Sequence, residues 1–229
     1  RGKAMDIVGM LGGKTVHPIG ALPGGVSKAI DEEERAQIEQ WGHDLVEFGL
    51  FSLQLLHDVV LANQGYVDLI VSDTFTTPMY YMGLVDVDNK VNFYDGQVRV
   101  VDPEGNEFVK YTPQEYRDVV AERVEPWTYL KFPYLKEVGW KGFETGMDSG
   151  IYQATPLSRL NAADGMATPK AQAAYEELYE TLGGKPVHST LATHWARLVE
   201  LLYSAERLVE LATDPEITDP NVRAIPTAT

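Results

Sequence analysis

Residues 12–26 read GGKTVHPIGALPGGV. The stretch has three readings: a phosphate loop, a metal site or a tight chain reversal. A Walker loop needs glycine, four residues, then Gly-Lys-Ser/Thr. Gly13-Lys14-Thr15 supplies the end, but Val8 stands where the first glycine belongs, and the glycine is Gly9. A helix must also open at the lysine to aim its amides at phosphate. Here Val16-His17-Pro18 follows, and Pro18 turns His17 away from helical backbone. The phosphate reading fails on spacing and on context.

A metal site built by this chain is equally poorly supported. Its histidines are His17, His43, His57, His188 and His194, and no two stand four apart as in His-Glu-x-x-His. His43 and His57 would lie roughly 21 Å apart along one helix, too far to share an ion. Cysteine is absent, which removes disulfides, thiolate ligands and cysteine nucleophiles from this chain. The formal net charge of −15 makes nucleic acid an unsuitable partner, and no basic cluster offsets it. No apolar run is long enough to cross a bilayer.

Outward from this stretch the chain is organised as follows. Small and apolar residues run up to Gly12-Gly13 as at the end of a helix. A helix is predicted over about 31–63, opening on the acidic turn DEEE and stopping at Gly65. Its apolar face reads Ile38, Trp41, Leu45, Phe48, Leu55, Leu56 and Val59. Strand signals follow over 68–111, in YYMGLVDV, VNFY, QVRVV and EFVKY, and predict an antiparallel meander. Thr112-Pro113-Gln114-Glu115 is a capping box, predicting a short helix to about Val124. Aromatic, proline- and glycine-rich chain then predicts irregular structure. Thr168-Pro169 opens a further helix that Gly183-Gly184 closes. The last helix starts near Ser189 and ends before Asp214-Pro215, with Leu191, Trp195, Leu198, Leu202, Ala205 and Val209 on one face. The expected fold is α+β and helix-dominated, a long-helix bundle with a small antiparallel β-meander. It reads as one domain over 1–229: a loop and long helix over 1–67, the meander over 68–111, and helices with irregular segments over 112–229.

GGKTVHPIGALPGGV resembles the Gly-Gly-Lys/Arg-x-x-His-Pro…Gly-Gly-Val signature of nickel–iron hydrogenase large subunits. Three further segments agree in order. Residues 129–146 (YLKFPYLKEVGWKGFETG) resemble the family's Tyr-Leu-Lys-x-Pro segment. Residues 151–171 (IYQATPLSRLNAADGMATPKA) resemble its Gly-Pro-Leu-Ala-Arg-x-Asn segment, with Ala154-Thr155 where Val-Gly is frequent. Residues 193–215 (THWARLVELLYSAERLVELATDP) resemble its His-x-Ala-Arg-x-x-Glu helix. The Ala-Leu-Pro-Gly-Gly form is most similar to cytoplasmic members that reduce nicotinamide, deazaflavin or viologen-type acceptors.

The resemblance implies a hydrogenase large-subunit-like fold, a cytoplasmic location and reversible dihydrogen oxidation in the intact enzyme. It also implies a nickel–iron centre held by two Cys-x-x-Cys pairs. This chain has neither pair and so no catalytic, cofactor or metal residue of its own. It reads as the middle portion of a longer subunit, inactive alone. The implied partners are an iron–sulfur small subunit and an electron-acceptor module, with self-association of the isolated piece. By the same resemblance His17 lies near the partner's cluster, while a loop histidine fixed by Pro18 remains the structural alternative. Gly24 and Gly25, with Gly12 and Gly13, permit tight reversal and close subunit approach. Arg159 and Asn161 read as polar anchors, and Lys131 as either buried against a carboxylate or simply exposed. Two other functions stay open: a cysteine-free paralogue with a structural or assembly role, and a free-standing acidic helical binding module.

Overall fold

The computed structural model describes residues 2–225. The chain divides into two compact units. One comprises the residues up to Leu50 and those from Ser204 on; the other is Phe51–Tyr203.

In the first unit α1 (Gly2–Gly12) stops where the glycines predicted. Gly13 N–H donates to the Gly9 carbonyl, and Gly13 takes φ 78°. The loop that follows carries a two-residue hairpin, β1 (Ala21–Leu22) and β2 (Gly25–Val26). Helix α2 (Glu32–Leu56) then begins. Asp31 and Glu34 cap it reciprocally: Glu34 N–H donates to Asp31 Oδ1 at 2.9 Å, and Asp31 N–H to Glu34 Oε2 at 3.3 Å.

The buried stripe of α2 differs from the expected one. It is Ile38, Gly42, Val46 and Gly49. Phe48, Leu55 and Val59 are exposed. Gly42 on this face lets a neighbouring helix approach closely. A Cβ on Gly42 would lie 2.9 Å from Val209 Cγ2, on the final helix. The expected side-by-side packing of long and final helices is therefore present in this unit. Ile7, Ile30, Ile38 and Ala212 form its core, with Trp41 and Leu208 against it. A side chain the size of isoleucine contributes about 1.5–3 kcal/mol when fully buried.

The predicted long helix changes form before it ends. After Leu56 the backbone widens into a π-helical turn, His57–Leu61. Asn63 then caps a separate helix, α3 (Gln64–Val71), its side chain accepting from Gly65 N–H at 3.0 Å. Residues 68–71 are thus helical where strand was expected, because the Asn63 cap restarts the helix in an apolar run that fits either structure. α3 leaves the preceding helix at 93°.

The main sheet begins at β3 (Tyr80–Val85), with β4 (Lys90–Val91), β5 (Gln97–Val101) and β6 (Glu107–Tyr111). These four are antiparallel, in the order β4-β3-β5-β6. The order is not that of a simple meander, since β5 returns beside β3. Of VNFY only Val91 is strand, because Asn92 folds the next residues into a turn, accepting from Tyr94 and Asp95 N–H.

Thr112 and Glu115 form the expected capping box. The helix it starts, α4 (Tyr116–Val119), is shorter than predicted. Residues 120–124 are instead β7 (Val120–Val124), paired with β8 (Lys131–Leu135) inside the segment expected to be irregular. β-Branched Val120 and Val124 favour strand once a partner strand is supplied. Two short strands join the main sheet in parallel: β9 (Tyr152–Gln153) on β3, and, beyond α5 (Pro156–Ala162), β10 (Gly165–Met166) on β4.

α5 lies on β3, and Gly83 makes this possible: a Cβ there would be 2.9 Å from Arg159 Cα. α6 (Pro169–Thr181) and α7 (Ala192–Ala212) complete the elements. Gly184 N–H closes α6 on the Tyr179 carbonyl at 2.8 Å, six residues to one, as in a Schellman stop. α7 buries one face through Trp195, Ala196, Val199, Leu202 and Tyr203. Among the described residues no single helix is long and apolar enough to cross a membrane.

Candidate functional site

The loop singled out by sequence is a tied reversal. Ile19 and Gly20 N–H both donate to the Gly12 carbonyl, at 2.9 and 3.1 Å, and Ser27 N–H donates to Gly20. A Cβ on Gly12 would meet Pro18 Cβ at 2.4 Å, so His-Pro packs directly on the end of α1. His17 sits at φ 52°, outside any helix, with its side chain exposed. Pro-Gly-Gly is clamped from far along the chain. Val26 N–H donates to the Val222 carbonyl at 3.1 Å, Ala224 N–H to Gly24 at 2.9 Å, and Arg223 Nε–H to Pro23 at 3.1 Å. Gly25 has φ 153°, and a Cβ there would stand 2.1 Å from the Val222 oxygen. Val16 and Ile19 are 62% and 67% exposed beside His17. The loop therefore presents an imidazole among apolar side chains on a rigid base.

The other polar constellation belongs to the second unit. Thr155 caps α5, accepting from Ser158 N–H at 3.3 Å, and so places Arg159 and Asn161. Arg159 Nε–H and an Nη2–H donate to the two oxygens of Glu200 at 2.6 and 2.8 Å. Asn161 is fully buried. Its Nδ2–H donates to the Val187 carbonyl at 2.8 Å, and its Oδ1 accepts from Tyr179 Oη–H at 2.8 Å and Val187 N–H at 3.2 Å. Both residues act as the polar anchors expected of them. Lys131 pairs with Glu122 at 2.8 Å while both stay exposed, a type of pair that contributes little.

Beneath α5, Arg99 donates to Asp164 at 2.7 Å, to Glu107 at 2.8 Å and to the Ala162 carbonyl at 3.0 Å. The Lys185 ammonium is tucked against the Ala163 carbonyl, 3.1 Å from Tyr175 Oη and 5.8 Å from the Tyr175 and Tyr179 ring centroids. Burial lowers its pKa from 10.5 to about 8, against the opposing pull of Asp164. Burial likewise pushes Tyr175 and Tyr179 well above the usual phenol range. Tyr81 Oη bonds His188 Nδ1, and burial lowers the His188 pKa. These groups lock the segment 161–188, and His188 also lines a hollow of about 210 Å³ with Asp73 and Ser189.

Sequence reasoning named Arg159 and Asn161 but not Glu200, Lys185 or Tyr179. Glu200 was findable, since it closes the quoted His-x-Ala-Arg-x-x-Glu pattern. Lys185 carried no local signal, because its environment is made by α5 and α6 together.

No family model matches the chain. It is 47% identical over 221 residues to the iron-sulfur subunit of the F420-non-reducing hydrogenase of Archaeoglobus profundus, covering 96% of this chain and 45% of that one. Against the vhu subunit of the F420-non-reducing hydrogenase of Methanococcus voltae the identity is 38% over 223 residues, 96% and 49% of the two chains. The NAD-reducing hydrogenase HoxS subunit beta of Cupriavidus necator is 31% identical over 218 residues, 93% and 42% of the two. The solved NAD+-reducing [NiFe]-hydrogenase in the H2-reduced state superposes with a TM-score of 0.86 at 28% identity, covering 99% of this chain and 48% of that one.

The fold is hydrogenase-related. The chain spans about half the length, or less, of the curated relatives it matches. Their names correct the large-subunit reading. The relative at 47% identity is named an iron–sulfur subunit, and neither of the other two is named a large one. Neither the large-subunit-like fold label, nor the part of a large-subunit scaffold, nor the status of nickel–iron catalytic subunit carries over to this chain. What the comparisons support is likeness to hydrogenase subunits in sequence and fold.

An iron–sulfur name implies clusters, which are held by cysteine thiolates. This chain has no cysteine. Among the described residues no three His, Asp or Glu side chains gather as a metal-binding group. The residues present do not fit an iron–sulfur cluster.

Proposed function

We propose that the chain works inside a hydrogenase, as part of a subunit of the kind its relatives represent. The assembly is hetero-oligomeric and passes electrons between dihydrogen and an acceptor of the nicotinamide or viologen type. The observation that carries the reading is the 47% identity running through 221 of its residues. The TM-score of 0.86 against an NAD+-reducing hydrogenase supports it. In this reading the compartment is the cytoplasm.

Within such an assembly the chain's own residues position and dock; the redox ligands come from elsewhere. The His17 loop is its docking element toward a cluster-bearing partner. Its base is fixed by the clamp at 222–224, its rim is apolar at Val16 and Ile19, and an exposed imidazole, His17, stands beside that rim. An imidazole at a protein–protein boundary can donate a hydrogen bond without carrying a fixed charge. Gly24 and Gly25 keep the loop thin enough for close approach.

The test is His17→Ala in the assembled hydrogenase. Dihydrogen-dependent dye reduction should slow while iron content and subunit stoichiometry hold. Unchanged kinetics would return His17 to a structural loop role. Failure of the chain to co-purify with hydrogenase subunits would remove the functional reading itself.

A further inference from the structure

The hollow beside His188 is built from two segments of the second unit. Asp73 and Thr76 come from one, His188 from the other. Backbone hydrogen bonds tie the two together: Thr77 N–H donates to the His188 carbonyl at 3.1 Å, and Thr190 N–H to the Phe75 carbonyl at 2.9 Å. Ile70, Leu182 and Pro186 add apolar surface. The volume is about 210 Å³, whereas a single water needs only ~10–15 Å³.

His188 offers a hydrogen-bond donor there. Tyr81 is 0% exposed, and burial holds its phenol well above the usual range, so the hydroxyl keeps its proton. His188 Nδ1 is the acceptor which that proton meets among the described residues. The opposite tautomer would strand a buried O–H at its full desolvation penalty. The imidazole, its pKa lowered by burial, is neutral at pH 7, and its own proton therefore sits on Nε2. Nε2 has no partner among the described residues. It is also not sealed from solvent, unlike the unpartnered Ser149 Oγ, Ser189 Oγ and Trp195 Nε1. The Asp73 side chain is exposed, and no described residue pairs with its carboxylate. The hollow thus holds an N–H donor and a carboxylate acceptor, with apolar surface beside them.

We propose that this hollow binds a small neutral molecule bearing a primary carboxamide, its carbonyl accepting from His188 Nε2–H and its amide N–H donating to Asp73. Other ligand classes fit the pair less well. An anion would meet the Asp73 charge with no cation in the lining to offset it. An ammonium would satisfy Asp73 and leave Nε2–H unpaired. A metal ion would need Nε2 without its proton and further ligands, and among the described residues no three His, Asp or Glu side chains gather as a metal-binding group. A carboxamide carries one acceptor and one donor group on a flat frame. Its apolar substituent would rest on Ile70, Leu182 and Pro186. The proposal goes beyond the docking role of the His17 loop and does not depend on it.

Isothermal titration of the full chain with benzamide tests this. Saturable binding in the ~millimolar range is expected for a ligand of this size. Methyl benzoate keeps the carbonyl and loses the donor; benzylamine keeps a donor and loses the carbonyl. Each should bind roughly tenfold more weakly or worse. Asp73→Leu, at an exposed position, should leave the melting temperature in place and weaken benzamide by a similar factor. Leu182→Trp, which fills the hollow from its apolar side, should abolish binding and decides the matter if Asp73→Leu does not fold. Imidazole nitrogen shifts from a two-bond proton–nitrogen correlation supply a readout independent of affinity: His188 should carry its proton on Nε2, with that nitrogen shifting as benzamide is added. The proposal is overturned by any one of four results: no saturable binding, equal binding of benzylamine or methyl benzoate, undiminished binding in a folded variant, or a His188 ring protonated on Nδ1.

Discussion

Arg159 grips Glu200 with two parallel hydrogen bonds, at 2.6 and 2.8 Å, joining α5 to α7 across 41 residues of sequence. Both residues belong to segments that resemble hydrogenase motifs. Their side chains are 29% and 10% exposed. Removing one partner strands a half-buried charge. Glu200→Ala should therefore destabilise the chain by about 2–4 kcal/mol, and Glu200→Gln by less. The double change Arg159→Met with Glu200→Met should restore most of the loss, since no lone charge remains. Urea unfolding of these variants beside the parent measures the coupling; a double change no better than Glu200→Ala would show the pair to be weak.

Gly25 is the most constrained position of the His17 loop. Gly25→Ala must displace the Val222 carbonyl and adopt an unfavourable φ. The clamp at 222–224 should open, at a cost of about 2 kcal/mol or more. Amide exchange at Val26 and Ala224 should rise with it. An unchanged exchange pattern would show that the clamp does not hold the loop.

Stability should rise between pH 8 and 10. Lys185 releases its proton near pH 8 when folded, and near 10.5 when unfolded. In that window the unfolded chain binds the extra proton, so folding gains on raising the pH. The gain is on the order of 1–3 kcal/mol. Above pH 10 the trend reverses, because buried Tyr175, Tyr179 and Tyr111 keep protons that their unfolded forms release. Lys185→Met should flatten the rise between pH 8 and 10 and leave the later fall. Melting curves against pH decide this.

The acid side depends on His188. Its ring is stacked 5.8 Å from Tyr81, bonded to the phenol, and burial lowers its pKa below 6.5. The unfolded chain takes up a proton first as the pH falls through 6.5, so stability drops there. His188→Gln should lose that slope while keeping a polar partner for Tyr81. A slope unchanged in the variant would assign it to the carboxylates instead.

The purified chain should hold no nickel or iron in stoichiometric amount, because it has no thiolate. Elemental analysis finding about one tightly bound ion per chain would overturn this.

Much of the helical layout was legible in sequence, and the reason is range. Asp31 with Glu34, Thr112 with Glu115, and Gly184 closing on Tyr179 act within six residues of each other. Such caps and stops are local hydrogen bonds, written in adjacent letters. The reversal at His17-Pro18 was legible for the same reason. The stretch at 64–71 was not, since a short apolar run fits helix and strand equally until Asn63 caps it.

Sequence by itself determined that the chain has no thiolate, where α1 and α6 stop and where α2 begins. Only the tertiary structure decided that β5 lies beside β3, that glycines rather than large apolar residues form the buried stripe of α2, and that Arg159 meets Glu200. Those outcomes depend on which distant surfaces meet. Burial and pairing between remote segments are set by packing of the whole chain, and no window of neighbouring residues contains that information.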